Sequence, residues 1–414
     1  MKEISFLHCA DLHLDRPFTG ANSLPTTIHE FVKDSAYRSL CRIVDLAISE
    51  NVDFVLFAGD LYDSSYRSLK TQMTLLHELQ RLDDAGIESY LTHGNHDALD
   101  GEWVDLTWPE SSHFFGAEVE AIPFNRNNMT LAYIHSFSYP TRHVNMKMTD
   151  FYHRMDEESF QIGMLHGNLE GQKEHSSYAP FTINELVEKN FDYWALGHIH
   201  QRAELIAEPP IVYSGNIQGA HRKERGAKGC YVVRLSEVDS SLTFHQTSDV
   251  TWQRPVIDIG SCETMQELLQ LCEDHLKHDS YNTGGHLIEL ELIGRSHLHT
   301  ELLQEEKLED LLQTLQLNRD VDTREFIWPY KLSLKSRPLW DREDLKKQNG
   351  FIQDILLISE NYSEEQLKEA VAPLYEHRRA RKALRSIEDE KQLIQEAEEL
   401  VLSYLLESKG GSDQ

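Results

Sequence analysis

Ile4-Ser5-Phe6-Leu7-His8-Cys9-Ala10-Asp11-Leu12-His13 is an apolar run that ends on an aspartate and a histidine two positions apart. Ile4–Cys9 reads as a short strand. The spacing of Asp11 and His13 sends both side chains to one side of an extended segment. The same layout recurs down the first 250 residues. Val52–Ala58 precedes Gly59-Asp60-Leu61-Tyr62-Asp63, and Ile87–Thr92 precedes Gly94-Asn95-His96-Asp97. Gln161–Leu165 runs into His166-Gly167, and Phe191–Leu196 into Gly197-His198-Ile199-His200. A sixth motif, Tyr213-Ser214-Gly215-Asn216, ends the apolar stretch Ile211–Tyr213, and Met129–His135 is a further strand. Between the early strands lie helical patterns, with Tyr37, Leu40, Val44 and Ile48 on one face and Leu69, Met73, Leu76 and Leu79 on another. Near-continuous apolar strands between amphipathic helices imply an α/β fold with a buried sheet. In such folds ligands gather outside the carboxyl ends of the strands, so the six motifs are expected to converge.

Their chemistry is that of oxygen and imidazole donors without thiolate, which suits Mn²⁺, Mg²⁺, Fe²⁺ or Zn²⁺. Seven candidate ligands exceed the needs of one four-coordinate ion. They fit two ions about 3.5–4 Å apart that share a bridging carboxylate. Such a pair binds a phosphoryl oxygen and makes a nucleophile of a water. A remaining histidine, with an unperturbed pKa of about 6.5, suits protonation of a leaving oxygen.

Composition narrows the field. The chain has 414 residues, enough for two or three domains at roughly 100–200 residues each. Forty per cent hydrophobic and 26% charged residues exclude a collagen-like or largely disordered chain. A net charge of −29 excludes DNA binding by bulk charge, so a nucleic-acid substrate needs basic loops, metal ions or a partner to offset that field. Five dispersed cysteines without C-x-x-C argue for reduced thiols in a cytoplasmic setting. The N-terminus lacks the apolar region of a signal peptide, and no stretch approaches the ~18 apolar residues of a membrane span.

From about 255 the pattern changes to a compact α+β unit. It comprises strands at Val256–Ile259, His286–Ile293 (Ile288, Leu290 and Leu292 on one face) and Glu325–Leu334. Helices are expected at Glu263–Lys277 and Thr300–Leu315, the latter with Leu308, Leu311, Leu312 and Leu315 in one stripe. After about 341 the chain is charged and helical. Ser363-Glu364-Glu365-Gln366 fits a capping box, and Pro373 is expected to kink or restart its helix. Arg378, Arg379, Arg381, Lys382 and Arg385 form a basic run read as a solvated or partner-facing helix side. Ile394, Ala397, Leu400, Val401, Tyr404 and Leu405 form an apolar stripe that either docks a partner helix or packs on the chain's own core. A disordered tail is expected at 410–412.

The order D-x-H, GD, GNHD, H-G, G-H-x-H resembles the calcineurin-like metallophosphoesterase superfamily. Cys9–Leu14, Ala58–Asp63 and Tyr213–Gly219 followed by Lys228-Gly229 are similar to SbcD-type DNA repair exonucleases, and the layout is closest to the YhaO-type bacterial members. The motifs cover residues 1 to about 230. The resemblance implies a four-layer sandwich of mixed sheets flanked by helices over 1–250, a small capping domain over 251–340 with possible DNA contacts, and a C-terminal helical region over 341–414. It implies that Asp11, His13 and His200 bind one metal, Asn95, His166 and His198 a second, and that Asp60 bridges. His96 would be the general acid, with Asp63 and Asp97 orienting the ligands. Some relatives carry a second catalytic histidine where this chain has Asp63. Two divalent ions, Mn²⁺ first among them, DNA as substrate and an SMC-like coiled-coil ATPase of SbcC type as partner follow from the same resemblance. A homodimer is also open to it.

Other readings stand beside these. The loop His221-Arg222-Lys223-Glu224-Arg225 with Lys228 either contacts DNA phosphates or is an ordinary solvated loop. His8 and His93 either orient ligands or simply pack at strand ends. His135, His143, His153, His175, His286, His297 and His299 are read as structural or exposed. The expected activity is metal-dependent DNA hydrolysis, exonucleolytic or endonucleolytic, in break repair. A phosphoprotein or small-phosphoester hydrolase is one alternative, and a binding subunit with a structural metal site is another.

Overall fold

In this computed structural model the described residues are 2–21, 24–63, 68–171, 178–277, 281, 284–317, 319–321, 324–347, 350–376 and 390–410. The basic run at 378–385, His175 and tail residues 411–412 lie outside them. The chain divides into two units, one of residues 1–253, 281–288 and 319–330, the other of 254–280, 289–318 and 331–414.

The first unit takes its elements in the order β1 (Glu3–Cys9), α1 (Thr26–Lys33), α2 (Ser35–Ser49), β2 (Phe54–Ala58), α3 (Leu69–Asp84), β3 (Glu88–Thr92), β4 (Ser112–Phe114), β5 (Glu120–Arg126) and β6 (Met129–Ser136). Next come β7 (Phe160–His166), α4 (Ile183–Glu188), β8 (Tyr193–Gly197), β9 (Ala203–Ala207), β10 (Pro210–Tyr213), β11 (Gly229–Ser236) and β12 (Ser240–Gln246). They form two six-stranded sheets, ordered β12-β11-β1-β2-β3-β4 and β5-β6-β7-β8-β10-β9. β1 to β4 run parallel, and β11 joins β1 antiparallel. In the second sheet β6, β7, β8 and β10 are parallel, with antiparallel β5 and β9 at the edges.

The pleat explains the layers. Phe6, Phe54, Leu56 and Tyr90 face inward and meet Ile134, Ile162, Met164, Tyr193 and Val212 of the other sheet. The alternate residues Leu7, Cys9, Val55, Phe57 and Leu91 face outward and pack against Leu40, Ile43, Val44, Leu75, Leu79 and Leu82 of α2 and α3. Leu165, Trp194, Leu196 and Ile211 pack on the far side with Tyr139, Tyr152, Leu186 and Phe191. Strands covered on both faces must be apolar throughout, which is why they read as runs rather than alternations. Each fully buried large apolar side chain contributes roughly 1.5–3 kcal/mol, so the three clusters make a stiff base for the strand-end loops.

Two helix faces differ from the sequence reading. On α2 Leu40 and Val44 are buried, but so are Ile43 and Ala47, while Ile48 is exposed. On α3 Leu69 and Met73 are exposed, and the packed face is Thr71, Leu75, Leu79 and Leu82. That helix carries apolar residues on two sides, and only the sheet beneath selects one. Glu78 lies on the buried side because Arg81 pairs with it at 2.6 Å.

Val250–Gln253 (β13) pairs in parallel with residues 285–288 in the first unit. In the second unit β14 (Val256–Asp258) pairs in parallel with residues 291–293, and α5 (Met265–His275) begins with a capping box between Thr264 and Glu267. β15 (Gly285–Ile293) is buried along both faces over most of its length, not on the Ile288/Leu290/Leu292 face alone. The helix expected over Thr300–Leu315 is two, α6 (His299–Leu302) and α7 (Glu305–Gln316). Gln304 is extended there, and Glu305 and Glu306 start a new first turn, where acidic residues favour a helix N-terminus. After β16 (Ile327–Leu334) come α8 (Arg342–Lys346), α9 (Phe351–Glu360), α10 (Glu364–Glu376) and α11 (Glu390–Gly410). The Ser363–Gln366 capping box forms, but α10 runs through Pro373 to Glu376. α11 splits its apolar residues. Leu402 and Leu406 pack with Leu345 and Leu356, the buried Glu398 receives the Arg342 fork at 2.5 and 2.9 Å, and Leu400, Val401 and Tyr404 are exposed. Among the described residues no helix is long and apolar enough to cross a membrane.

His135, on β6, donates through Nε2 to Gln161 Oε1 at 2.8 Å and packs against the Phe191 ring. Burial lowers its pKa from 6.5 to about 4, against the Gln161 bond. The folded state therefore holds the ring neutral where the unfolded chain takes up a proton. The stability it adds is complete above pH 6.5 and is lost as pH falls towards 4. Between pH 7 and 5 that loss is about 2 kcal/mol. Denaturant melts at the two pH values should show a smaller drop for His135→Leu than for the native chain, and an equal drop would exclude His135 as the source.

Candidate metal centre

The loops after β1 and β2 are tied together by their backbones. Asp11 N–H donates to Gly59 O at 3.0 Å, His13 N–H to Asp60 O at 3.0 Å, and Leu14 N–H to Leu61 O at 3.1 Å. Asp11, His13, Asp60 and His198 all adopt positive φ, at 51°, 42°, 50° and 92°. Non-glycine residues in that region cost of order 1–3 kcal/mol each and persist only where surroundings over-determine them. Gly94 is required for a different reason, since a Cβ there would strike the Asp60 carboxylate and the His166 ring.

All seven expected ligands come together. His13 Nε2 lies 2.9 Å from His200 Nε2 and 3.5 Å from Asp60 Oδ2. His166 Nε2 lies 3.4 Å from Asp60 Oδ2 and 3.0 Å from Asn95 Oδ1, and His198 Nδ1 is 3.0 Å from the same Asn95 oxygen. Asp11 receives the His198 N–H at 3.0 and 3.1 Å. Among the described residues three sets have donor atoms close enough for one ion: Asp11, His13 and His200; Asp11, Asp60 and His166; and His13, Asp63 and His96. Asp60 thus stands between His13 and His166.

The electrostatics fit a cation. Asp11, Asp60 and His166 are buried, and the ion-pair partners of both carboxylates are histidines. Burial pushes the Asp11 carboxyl up. Asp60 is equally desolvated, yet His166, His13 and His96 hold it well below its ordinary value. Desolvation keeps His13 well below 6.5 and hence neutral, while the two carboxylates outweigh burial at His166 and raise it to about 9. Buried carboxylates beside imidazole nitrogens form a donor set that divalent ions satisfy once the His166 proton is displaced. Among the described residues His13 Nδ1 is buried without a hydrogen-bond partner.

The supporting groups were only partly legible. Asp97 binds three ways, accepting from Leu61 N–H at 2.8 Å and Gly94 N–H at 2.6 Å and lying 3.2 Å from His93 Nδ1. It locks the second and third loops together, and it gives His93 a partner. His8 Nδ1 instead meets the Tyr193 hydroxyl at 3.0 Å, deep in the sheet interface. His96 donates its backbone N–H to Asp60 at 2.9 Å and keeps a partly exposed ring, with Nδ1 3.8 Å from Asp63. Burial would lower its pKa, but Asp63 and Asp60 raise it.

Two groups were not anticipated. Glu224 Oε1 lies 2.6 Å from His200 Nδ1 and accepts from Arg16 at 3.0 Å, and its other oxygen accepts from Ala220 and His221 N–H at 2.8 and 3.1 Å. It orients His200 from behind. Its only sequence signal is a lone acid inside the run 222–225. Lys228, expected on a loop that is either DNA-contacting or solvated, is buried and donates to His200 O at 2.6 Å. Four basic residues in seven looked like one surface, but strand β11 begins at Gly229 and draws Lys228 inward. Arg222, Lys223 and Arg225 remain exposed.

Two sheets back to back with a carboxylate–imidazole centre at their strand ends define a metallophosphoesterase. The calcineurin-like phosphoesterase family matches residues 4–202, and the middle domain of metallophosphoesterase YhaO matches residues 252–337. The chain is 39% identical over 336 residues to an uncharacterized metallophosphoesterase YhaO of Bacillus subtilis (strain 168), covering 80% of this chain and 82% of that protein. It is 23% identical over 320 residues to the DNA double-strand break repair protein Mre11 of Sulfurisphaera tokodaii, covering 74% and 77%. The chain belongs to the calcineurin-like metallophosphoesterases, a family of phosphoester hydrolases that use divalent metals.

Removing the carboxylate behind His200 should loosen the centre. Calorimetric titration of Glu224→Ala with Mn²⁺ is expected to show affinity about 10–100-fold below the native chain. Unchanged affinity would mean that Glu224 serves only the loop around it.

Proposed function

We propose that the protein is a metal-dependent DNA nuclease, hydrolysing phosphodiesters in double-strand-break repair. The observation that carries this reading is His96, an imidazole held at the rim of the donor cluster with its acid form favoured by Asp63 and Asp60. The likeness to Mre11 supports DNA as the substrate. Asp11, His13 and His200 would hold one divalent ion, Asn95, His166 and His198 a second, and Asp60 both, with Mn²⁺ the preferred metal. Bound there, divalent ions would supply Lewis acidity at the phosphate. His96 gives its proton to the departing oxygen, and Asp63 favours the charged ring. Glu224 fixes the His200 tautomer, and Asp97 fixes the loop that carries Asn95 and His96. Arg222, Lys223 and Arg225 offset part of the acidic surface where a strand approaches. The nuclease domain spans 1–250, the capping domain 251–340 and the C-terminal helices 341–414. The exposed Leu400, Val401 and Tyr404 of α11 suit a coiled-coil ATPase partner of SbcC type. The setting is cytoplasmic.

The charge of −29 favours a second substrate class, a phosphoprotein or small phosphoester. Hydrolysis of bis-p-nitrophenyl phosphate against p-nitrophenyl phosphate, then of linear DNA, separates the two, and preference for the monoester would overturn the nuclease reading. With Mn²⁺ the native chain should degrade linear DNA, and His96→Ala should lose about 10²–10⁴-fold in rate while calorimetry still records metal binding. Cleavage by His96→Ala at the native rate would remove His96 from the acid role.

A further inference from the structure

Within the first unit, a cavity of ≈ 730 Å³ adjoins the donor cluster, lined by Arg16, Phe18, His29, Lys33, Tyr37 and Lys70 among others. That size falls in the range of about 300–1,000 Å³ usual for small-molecule sites. Arg16 is the wall shared with the cluster. Its Nη1 lies 3.0 Å from Glu224 and 3.4 Å from His200 Nδ1, and its Nε lies 4.0 Å from Asp63.

The cavity leaves one cation, Lys33, without an ion-pair partner among the described residues. Of its two carboxylates, Asp15 accepts from the Tyr37, Ser68 and Thr71 hydroxyls and from Ser68 N–H, so its acceptor sites are already taken. Asp34 pairs with Lys70 at 3.1 Å, and that ammonium also sits 4.8 Å above the Tyr37 ring. Lys33 and His29 are exposed, and no ion pair engages them among the described residues. One wall is apolar and rigid, because Phe18 stacks on Trp252 with centroids 5.1 Å apart and planes 14° apart. The segment bearing Asp11 and His13 continues directly into Asp15, Arg16 and Phe18, so one piece of chain serves both the centre and the cavity.

A lysine without an acidic partner, a flat aromatic wall and a shared arginine call for an anion attached to a ring. We propose that the cavity holds one nucleotide of the substrate strand, its base against Phe18 and its outer phosphate between Arg16 and Lys33. This subsite rests on the phosphodiesterase reading above, and it assigns the strand a direction of approach, over α1 and past Arg16. Base–aromatic stacking supplies affinity that tolerates any sequence.

Binding and turnover test the subsite separately. For the full-length native chain, calorimetry should show thymidine 5′-monophosphate binding about tenfold tighter than inorganic phosphate. Lys33→Glu and Phe18→Ala, each checked for native melting, should erase that margin. With a thymidine dinucleotide, Lys33→Glu should raise KM about tenfold while kcat stays within about twofold. Equal affinity for nucleotide and phosphate, or an unchanged margin in both variants, would overturn the subsite. A native chain that cleaves no diester yet shows the margin would refute the nuclease reading and leave the subsite standing.

Discussion

Asp11 and Asp60 sit side by side in the interior with imidazoles, not ammonium or guanidinium groups, as their ion-pair partners. Two buried carboxylates so placed can both ionise only where further positive charge is taken up beside them, and the rest of the first unit is organised around that demand. Four cluster residues accept left-handed backbone conformations to reach it. The carboxylates of Glu224 and Asp97 stand behind the donors, one turning a ring and the other bracing two loops.

The two-sheet core makes this arrangement affordable. The facing layers built on Phe6, Phe54, Ile162 and Tyr193 put the carboxyl ends of β1, β2, β7 and β8 at one end of the sandwich. On the outer faces α2 and α3 cover one sheet, and α4 with loop residues such as Tyr139 and Tyr152 covers the other. Stiffness beneath the loops is what allows ligand atoms to be held within a few ångströms of each other. The second unit has a different character. Its helices keep small apolar clusters of their own while leaving Leu400, Val401 and Tyr404 uncovered.

Much of the centre was legible because its residues report on a local rule. A strand that ends on Asp-x-His or Gly-Asn-His-Asp announces both the strand and the ligand, and the sheet then brings such ends together. Glu224 was not legible, since nothing in Arg222-Lys223-Glu224-Arg225 says that one side chain turns inward while its neighbours face water. Lys228 was misjudged for the same reason. The α3 face was misjudged except at Leu79, because Leu69, Met73, Leu76 and Leu79 form as good a stripe as Leu75, Leu79 and Leu82, and periodicity alone does not rank them. The single helix expected over Thr300–Leu315 failed at Gln304, where an acidic pair begins a new helix within an otherwise helical pattern.

The sequence by itself determined the strand order of chemistry, the donor types and the apolar runs of a doubly covered sheet. These follow from covalent spacing and side-chain character, which no fold can alter. Only the tertiary structure decided which carboxylate stands behind His200, which lysine is drawn inside and which face of α3 is buried. Those outcomes depend on groups as much as 208 positions apart, such as Arg16 and Glu224, meeting in space. Packing selects among alternatives that the local chain leaves equal in energy.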